Sequence, residues 1–181
     1  MRAMAYRTSL KLLAVAVCAQ LASADSQTQR IRMLAAENSV ALTSGNYARL
    51  VDLTYPKLVE MIGGRDKMIE MLRSGTEDMK AHGSAILSAE VSEPKEVVTA
   101  GDKQFAIVPL TVRVQMPEGA VRSNSFLVAI SDDRGKTWTF IDGAGLRKTP
   151  GGERETLAQI LPAFPAQLSL PAWEPPVLES K

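Results

Sequence analysis

An α+β fold, with N-terminal helices packed on a curved antiparallel sheet and a proline-rich C-terminal tail, is predicted by three features of the sequence. Apolar residues before Gly83 recur with helical spacing. After Gly83 they alternate with period two among β-branched residues and turn signals. Finally, Pro162, Pro165, Pro171, Pro175 and Pro176 interrupt regular structure near the C-terminus. Helices first and strands afterwards point away from alternating βαβ units.

Ahead of the predicted domain, residues 1–24 read as a secretory signal peptide. Arg2, Arg7 and Lys11 form a basic start, Leu12 to Leu21 an apolar run, and Ala22-Ser23-Ala24 a small-residue cleavage site. Cleavage after Ala24 predicts a periplasmic or secreted protein. Val15-Ala16-Val17-Cys18 is an imperfect lipobox, since valine stands where bacterial lipoproteins carry Gly, Ala or Ser, so acylation at Cys18 is the lesser alternative. Residues 25–161 then form one α+β domain, and residues 162–181 an extended tail. Phe164, Leu168, Leu170 and Trp173 along that tail suit a segment lying on the domain over a groove; a mobile tail is the plainer reading.

Ile31, Leu34, Ala35, Val40, Ala41 and Leu42 predict a first helix from Ser26 to Ser44, stopped by Gly45. Asn46 suits the cap of a short second helix. Pro56 opens a third that closes at Gly63-Gly64, and a fourth runs from Asp66 to Ala81. The fourth sets Met68, Leu72 and Met79 near one face, flanked by Ile69 and Met71: either a soft thioether wall around a ligand or gap-filling core. His82, after Lys80, is placed for the helix dipole. The predicted strands are Ala85–Val91, Glu96–Thr99, Gln104–Met116, Val121–Ser131 and Thr137–Asp142, with a last helix from Glu153 to Leu161.

On the strand from Gln104, Ala106, Val108, Leu110, Val112, Val114 and Met116 form one apolar face. Matching it to even positions on both following strands requires five-residue loops at 116–120 and 132–136. The rows become Ala106/Ile130/Trp138, Val108/Val128/Phe140, Leu110/Phe126/Asp142, Val112/Asn124 and Val114/Arg122. This register gathers Arg122, Asn124 and Asp142 at the mouth of an apolar cavity beside Phe126, the composition of a small-molecule site. A structural network around Asp142, or rim side chains in solvent, is the alternative. Leu127, Ala129 and Ile141 fall on the outward face, where they suit a homodimer contact.

Ser131-Asp132-Asp133-Arg134-Gly135-Lys136-Thr137-Trp138 matches the Asp-box, Ser-x-Asp-x-Gly-x-Thr-Trp, at every specified position. Sialidases repeat this motif from blade to blade, away from the active site. A single copy implies a hairpin turn: Asp133 accepts turn N–H groups, Gly135 permits positive φ, and Trp138 anchors the returning strand.

The helices, the Gly45-Asn46-Tyr47-Ala48-Arg49-Leu50 step and the closing Thr137-Trp138-Thr139-Phe140-Ile141-Asp142-Gly143 resemble the nuclear transport factor 2-like (SnoaL-like) superfamily over residues 28–145. The short strands usual between the early helices of that family are not evident. The resemblance implies a cone around a pocket, often dimeric, in proteins that are isomerases, cyclases, dehydratases or binding domains. A steroid-isomerase-like member would use Asp142 as its base, with Tyr47 or Tyr55 donating to an oxyanion.

Composition narrows the partners. Loss of the leader leaves 18 of the 21 basic residues and all 20 acidic ones, moving the net charge from +1 to −2, and removes the one cysteine. Without a Lys/Arg block the chain lacks a nucleic-acid footprint. With one histidine and no thiol, it offers no multi-histidine or cysteine metal site and no Cys/His catalysis. No further stretch reaches the about 20 apolar residues that span a bilayer. The function expected is an exported non-catalytic domain, without cofactor, that binds a small apolar or amphipathic molecule or a protein partner. The alternative is a cofactor-independent isomerase or lyase using Asp142.

Overall fold

Local signals set the helical half. The computed structural model describes residues 26–147 and 152–179, so the leader and Cys18 lie outside the described residues. Helix α1 covers residues 26–43, followed by α2 (Tyr47–Asp52), α3 (Pro56–Ile62) and α4 (Arg65–Ala81). Asn46 accepts a hydrogen bond from the Arg49 N–H at 3.2 Å and so caps α2, while Pro56 sits in the first turn of α3. At the end of α4, His82 Nδ1 contacts the Asp78 carbonyl at 2.7 Å.

Between α2 and α3, Thr54 makes a parallel bridge to Phe140. The Phe140 N–H donates to Leu53 O at 2.8 Å and the Tyr55 N–H to Phe140 O at 3.0 Å. This strand-like step, which the sequence pattern does not reveal, covers the edge of the last long-range strand pair.

The strands are β1 (Ala85–Val91), β2 (Val97–Ala100), β3 (Lys103–Met116), β4 (Gly119–Ser131), β5 (Thr139–Asp142) and β6 (Val177–Leu178). They form a strongly curled antiparallel half-barrel in the order β1-β3-β4-β5, with β2 also on β3 and β6 on β4. Pro109, inside β3, has no N–H for a ladder, and the register shows where it is tolerated. On that side β1 pairs as far as Leu110 and β2 begins at Ala106, so Pro109 falls in the gap between them. Its carbonyl accepts the Ser92 N–H from the intervening loop at 2.9 Å.

The β3–β4 register differs by one residue from that expected. Met116 pairs with Gly119 across the two-residue loop Pro117-Glu118, so Ala106 faces Ala129, Val108 faces Leu127 and Leu110 faces Ser125. Ala129 continues to Phe140 and Leu127 to Asp142. A one-residue slip turns every β4 side chain to the opposite face. The even set of β4, including Arg122, Asn124 and Phe126, therefore lies with the odd set of β3, away from Asp142.

Both faces of the sheet are consequently buried. On the inner face Ala106, Val108, Leu110, Leu127, Ala129, Trp138 and Phe140 pack with Ile31 and Ala35 of α1 and with Leu53. On the outer face Phe105, Ile107, Phe126, Val128, Ile130 and Ile141 pack beneath Leu146 of α5 (Gly143–Arg147), Leu157 and Ile160 of α6 (Gly152–Ile160), and Leu161 and Leu168 of the tail. Phe164 adds an edge-to-face contact with Phe105 at 5.7 Å between ring centroids. Leu127, Ala129 and Ile141, expected on an open dimer face, are at most 3% exposed. Regular structure returns after Pro176, where β6 pairs with Val121 and Arg122.

Candidate functional site: a cavity beside Ser39

A cavity of about 320 Å³ opens where α1, the short helices and the β4–β5 end of the sheet converge. Leu42, Leu50, Leu58, Ile62, Leu110, Leu127, Phe140 and Ile160 supply apolar wall. Met68, Met71 and Leu72 of α4 line it as well, whereas Met79 lines a separate small recess with Tyr47. Met68 is buried and Met71 is 48% exposed, so one thioether belongs to the core and the other stands at the rim.

Polar groups are few and specific. Asn38 and Ser39 come from α1, Thr54 from the bridging step, Asp142 from the end of β5 and Thr156 from α6. Thr54 Oγ1 is satisfied by donating to Leu50 O at 2.9 Å. Among the described residues, Ser39 Oγ is buried and has no hydrogen-bond partner. An unpaired buried hydroxyl costs about 1–3 kcal/mol, so a polar ligand atom at this position would recover a real deficit. Sequence reasoning missed Asn38 and Ser39. The available signal was their position: they continue the stripe Ile31, Ala35 and Leu42 on the buried side of α1, where polar residues are out of pattern.

The four residues expected to form one site separate. Asp142 lines the cavity; its side chain is exposed and Oδ1 accepts the Ala144 N–H at 2.9 Å, capping the turn into α5. Phe126 is fully buried in the outer core. Asn124 lines an outer groove of about 560 Å³ beneath the tail, where its Nδ2 donates to Glu174 Oε2 at 2.8 Å. Arg122 stands opposite Arg113 and beside β6. Neither tyrosine lines the Asp142 cavity. Tyr55 is buried on the outer side, with its hydroxyl 3.2 Å from Lys103 Nζ. Lys103 also pairs with Asp132 at 2.6 Å; chiefly that bond, and less so the one to Tyr55, raises the Lys103 pKa against the opposing effect of burial.

The turn from Ser131 to Trp138 is closed by its own side chains. Asp133 Oδ1 accepts N–H groups from Lys136 and Thr137 at 3.0 and 2.9 Å and the Ser131 hydroxyl at 2.8 Å, while Oδ2 accepts the Thr137 hydroxyl at 2.7 Å. These bonds, those from Thr137 first, lower the Asp133 pKa to about 2. Gly135 has φ +84°, and its N–H donates to Ser131 Oγ at 2.8 Å. Trp138, only 3% exposed, roots the turn in the inner core. These hydrogen bonds to the Asp133 carboxylate all come from within the turn, whereas the Asp132 carboxylate reaches Lys103 of β3. Among the described residues, no group of acidic or histidine side chains is arranged to hold a metal ion, and no helix is long and apolar enough to cross a membrane.

No protein-family model matches the chain, and no curated protein matches it.

Proposed function

We propose that the protein is an exported, non-catalytic binding domain of the nuclear transport factor 2-like (SnoaL-like) type, taking a small amphipathic molecule in the cavity beside Ser39. One observation carries the reading: an unpartnered buried hydroxyl in a cavity whose walls are otherwise largely apolar. A ligand with an apolar body and a neutral hydrogen-bonding group matches that lining. Helices packed on a curled sheet support the family likeness, and the pattern of residues 1–24 supports export. Within this reading the Ser131–Trp138 turn is a single Asp-box serving structure.

The alternative, an isomerase or lyase using Asp142, is supported by the presence of that carboxylate in the cavity lining. It lacks the tyrosine donors expected of it, because Tyr47 and Tyr55 lie elsewhere.

Binding is tested with a fluorescent naphthylamine probe and a panel of amphiphiles on the full chain. Saturable one-to-one binding, weakened about tenfold by Ser39→Ala without loss of stability, is expected. A ligand at 100 times its Kd adds about 2.7 kcal/mol to unfolding. If neither probe nor panel saturates, the binding reading fails. Export is checked separately by mass spectrometry of the N-terminus, which is expected to begin at Asp25.

A further inference from the structure

The polar groups that line the Ser39 cavity are not equally engaged. Thr54 donates to Leu50 O, the Asp142 carboxylate accepts the Ala144 N–H, and Thr156 is engaged as well. Asn38 and Ser39 differ from these. They are 7% and 4% exposed, and neither side chain makes a hydrogen bond among the described residues. Asn38 lies one turn from Ala35 and from Leu42 on the buried stripe of α1, so helix geometry turns its amide toward the sheet and the cavity. A carboxamide without partners leaves two N–H donors and a carbonyl acceptor unmet, a larger deficit than the single hydroxyl of Ser39. The charge of the cavity is one-sided: Asp142 is the only ionisable residue in the lining, which holds no lysine, arginine or histidine.

Resting on the binding role proposed for this cavity, we infer that its ligand is a neutral primary carboxamide or lactam carried on an apolar body. Such a group presents an N–H and a carbonyl side by side. It closes a two-bond pair with Asn38, the ligand N–H donating to Oδ1 and the Nδ2–H donating to the ligand carbonyl. The Ser39 hydroxyl, which both donates and accepts, takes a bond that the pair leaves over. Other head groups fit worse. A carboxylate offers acceptors only, leaves Oδ1 unmet, and enters a cavity with no cation to offset its desolvation. An ammonium offers donors only and leaves Nδ2 unmet; the one carboxylate in the lining, Asp142, is exposed, where an ion pair contributes little. A secondary amide in its trans form turns its N–H away from its carbonyl and cannot close the pair. The apolar body rests among Leu42, Leu50, Leu127 and Phe140, in a volume of about 320 Å³ that is within the range for small-molecule pockets.

The test is displacement of the naphthylamine probe from the full chain at pH 7 by octanamide, N-methyloctanamide, octanoate and octylamine. Octanamide is expected to compete one-to-one, with each of the other three about tenfold weaker for the hydrogen bond it cannot make. Asn38→Leu nearly keeps the shape of the side chain. This variant is expected to bind the probe, to lose the preference for octanamide over N-methyloctanamide, and to melt no lower than the unaltered protein. The ligand class is overturned if octanoate, octylamine or the N-methyl form matches octanamide, or if Asn38→Leu retains the preference. It is equally overturned if Asn38→Leu lowers the thermal midpoint, because the amide then serves the fold. A probe that saturates and is displaced equally by all four overturns the class alone. A probe that does not saturate, together with octanamide that leaves the thermal midpoint unmoved, overturns the binding role and the class together.

Discussion

The two faces of the sheet are closed in different ways. The inner face is covered by α1, contributed from outside the sheet's own hairpins, and the centre of that contact is apolar: Ile31 and Ala35 reach full burial in one cluster with Val108 and Ala129, while Asn38 and Ser39 continue the same buried stripe. The outer face is covered by the chain that follows it, first α5 and α6 and then a tail held by apolar burial in its near part and by hydrogen bonds and an ion pair farther on. Leu168 is 2% exposed, but beyond it the tail is held by Asn124–Glu174, by two residues of β6, and by a bidentate Arg113–Glu179 pair with its shortest bond at 2.6 Å. Apolar burial is insensitive to salt and cooperative with the core, whereas exposed ion pairs are screened and contribute little. Local opening is therefore expected at the tail before the inner layer.

The largest effect should come from removing one large side chain from each face. Phe140→Ala on the inner face and Phe126→Ala on the outer face are each expected to cost about 3–5 kcal/mol in urea unfolding, since both rings are at most 2% exposed. If Phe126→Ala costs as little as a surface substitution, the outer layer is not a core and the comparison breaks. Next is Gly143→Ala. A Cβ there would lie 2.7 Å from the Phe126 ring, which packing holds in place, so a loss of about 1–3 kcal/mol is expected from the same measurement.

A smaller, pH-dependent effect belongs to Asp133. Its folded pKa of about 2 lies below the ordinary 3.8, so ionisation favours the folded state. That contribution is fully present above about pH 4 and is lost as pH falls through 3.8 toward 2. Asp133→Asn should flatten the stability profile in that window, read by thermal unfolding across pH 2–5; an unchanged profile would show that the turn does not hold the carboxylate. The smallest global effect should follow Arg113→Gln. The unfolding midpoint stays put, while amide exchange at the Glu179 N–H, which donates to Ala120 O at 2.9 Å, accelerates. Unchanged exchange would mean that the ion pair does not tether the tail.

The helices and strands were legible because their signals are local. Asn46, Pro56 and Gly63 mark helix ends within a turn of where they act, and α3 and β1 have the expected limits. The five-residue α5 was not, being too short for any apolar period. The candidate site was legible only in part. Asp142 reaches the cavity, but Asn124 serves the tail and Phe126 the core, because their grouping depended on register. Asn38 and Ser39 look like ordinary polar positions until α1 is seen against the sheet.

Sequence signals were enough for the order and type of α1–α4, β1–β5 and α6 and for the turn at Ser131–Trp138, since each follows from local periodicity, backbone restriction or hydrogen bonds a few residues apart. The elements α5 and β6 were not among them, and β6, after Pro176, depends on its pairing with β4. Tertiary structure alone decided which side of β4 faces α1. The runs Phe105-Ala106-Ile107-Val108-Pro109-Leu110 and Phe126-Leu127-Val128-Ala129-Ile130 are apolar at every position, so both registers offer an apolar face and alternation cannot choose between them. The two-residue loop at Pro117-Glu118 and the covering layers on both faces make that choice, and with it they send Asp142 to one recess and Asn124 to the other.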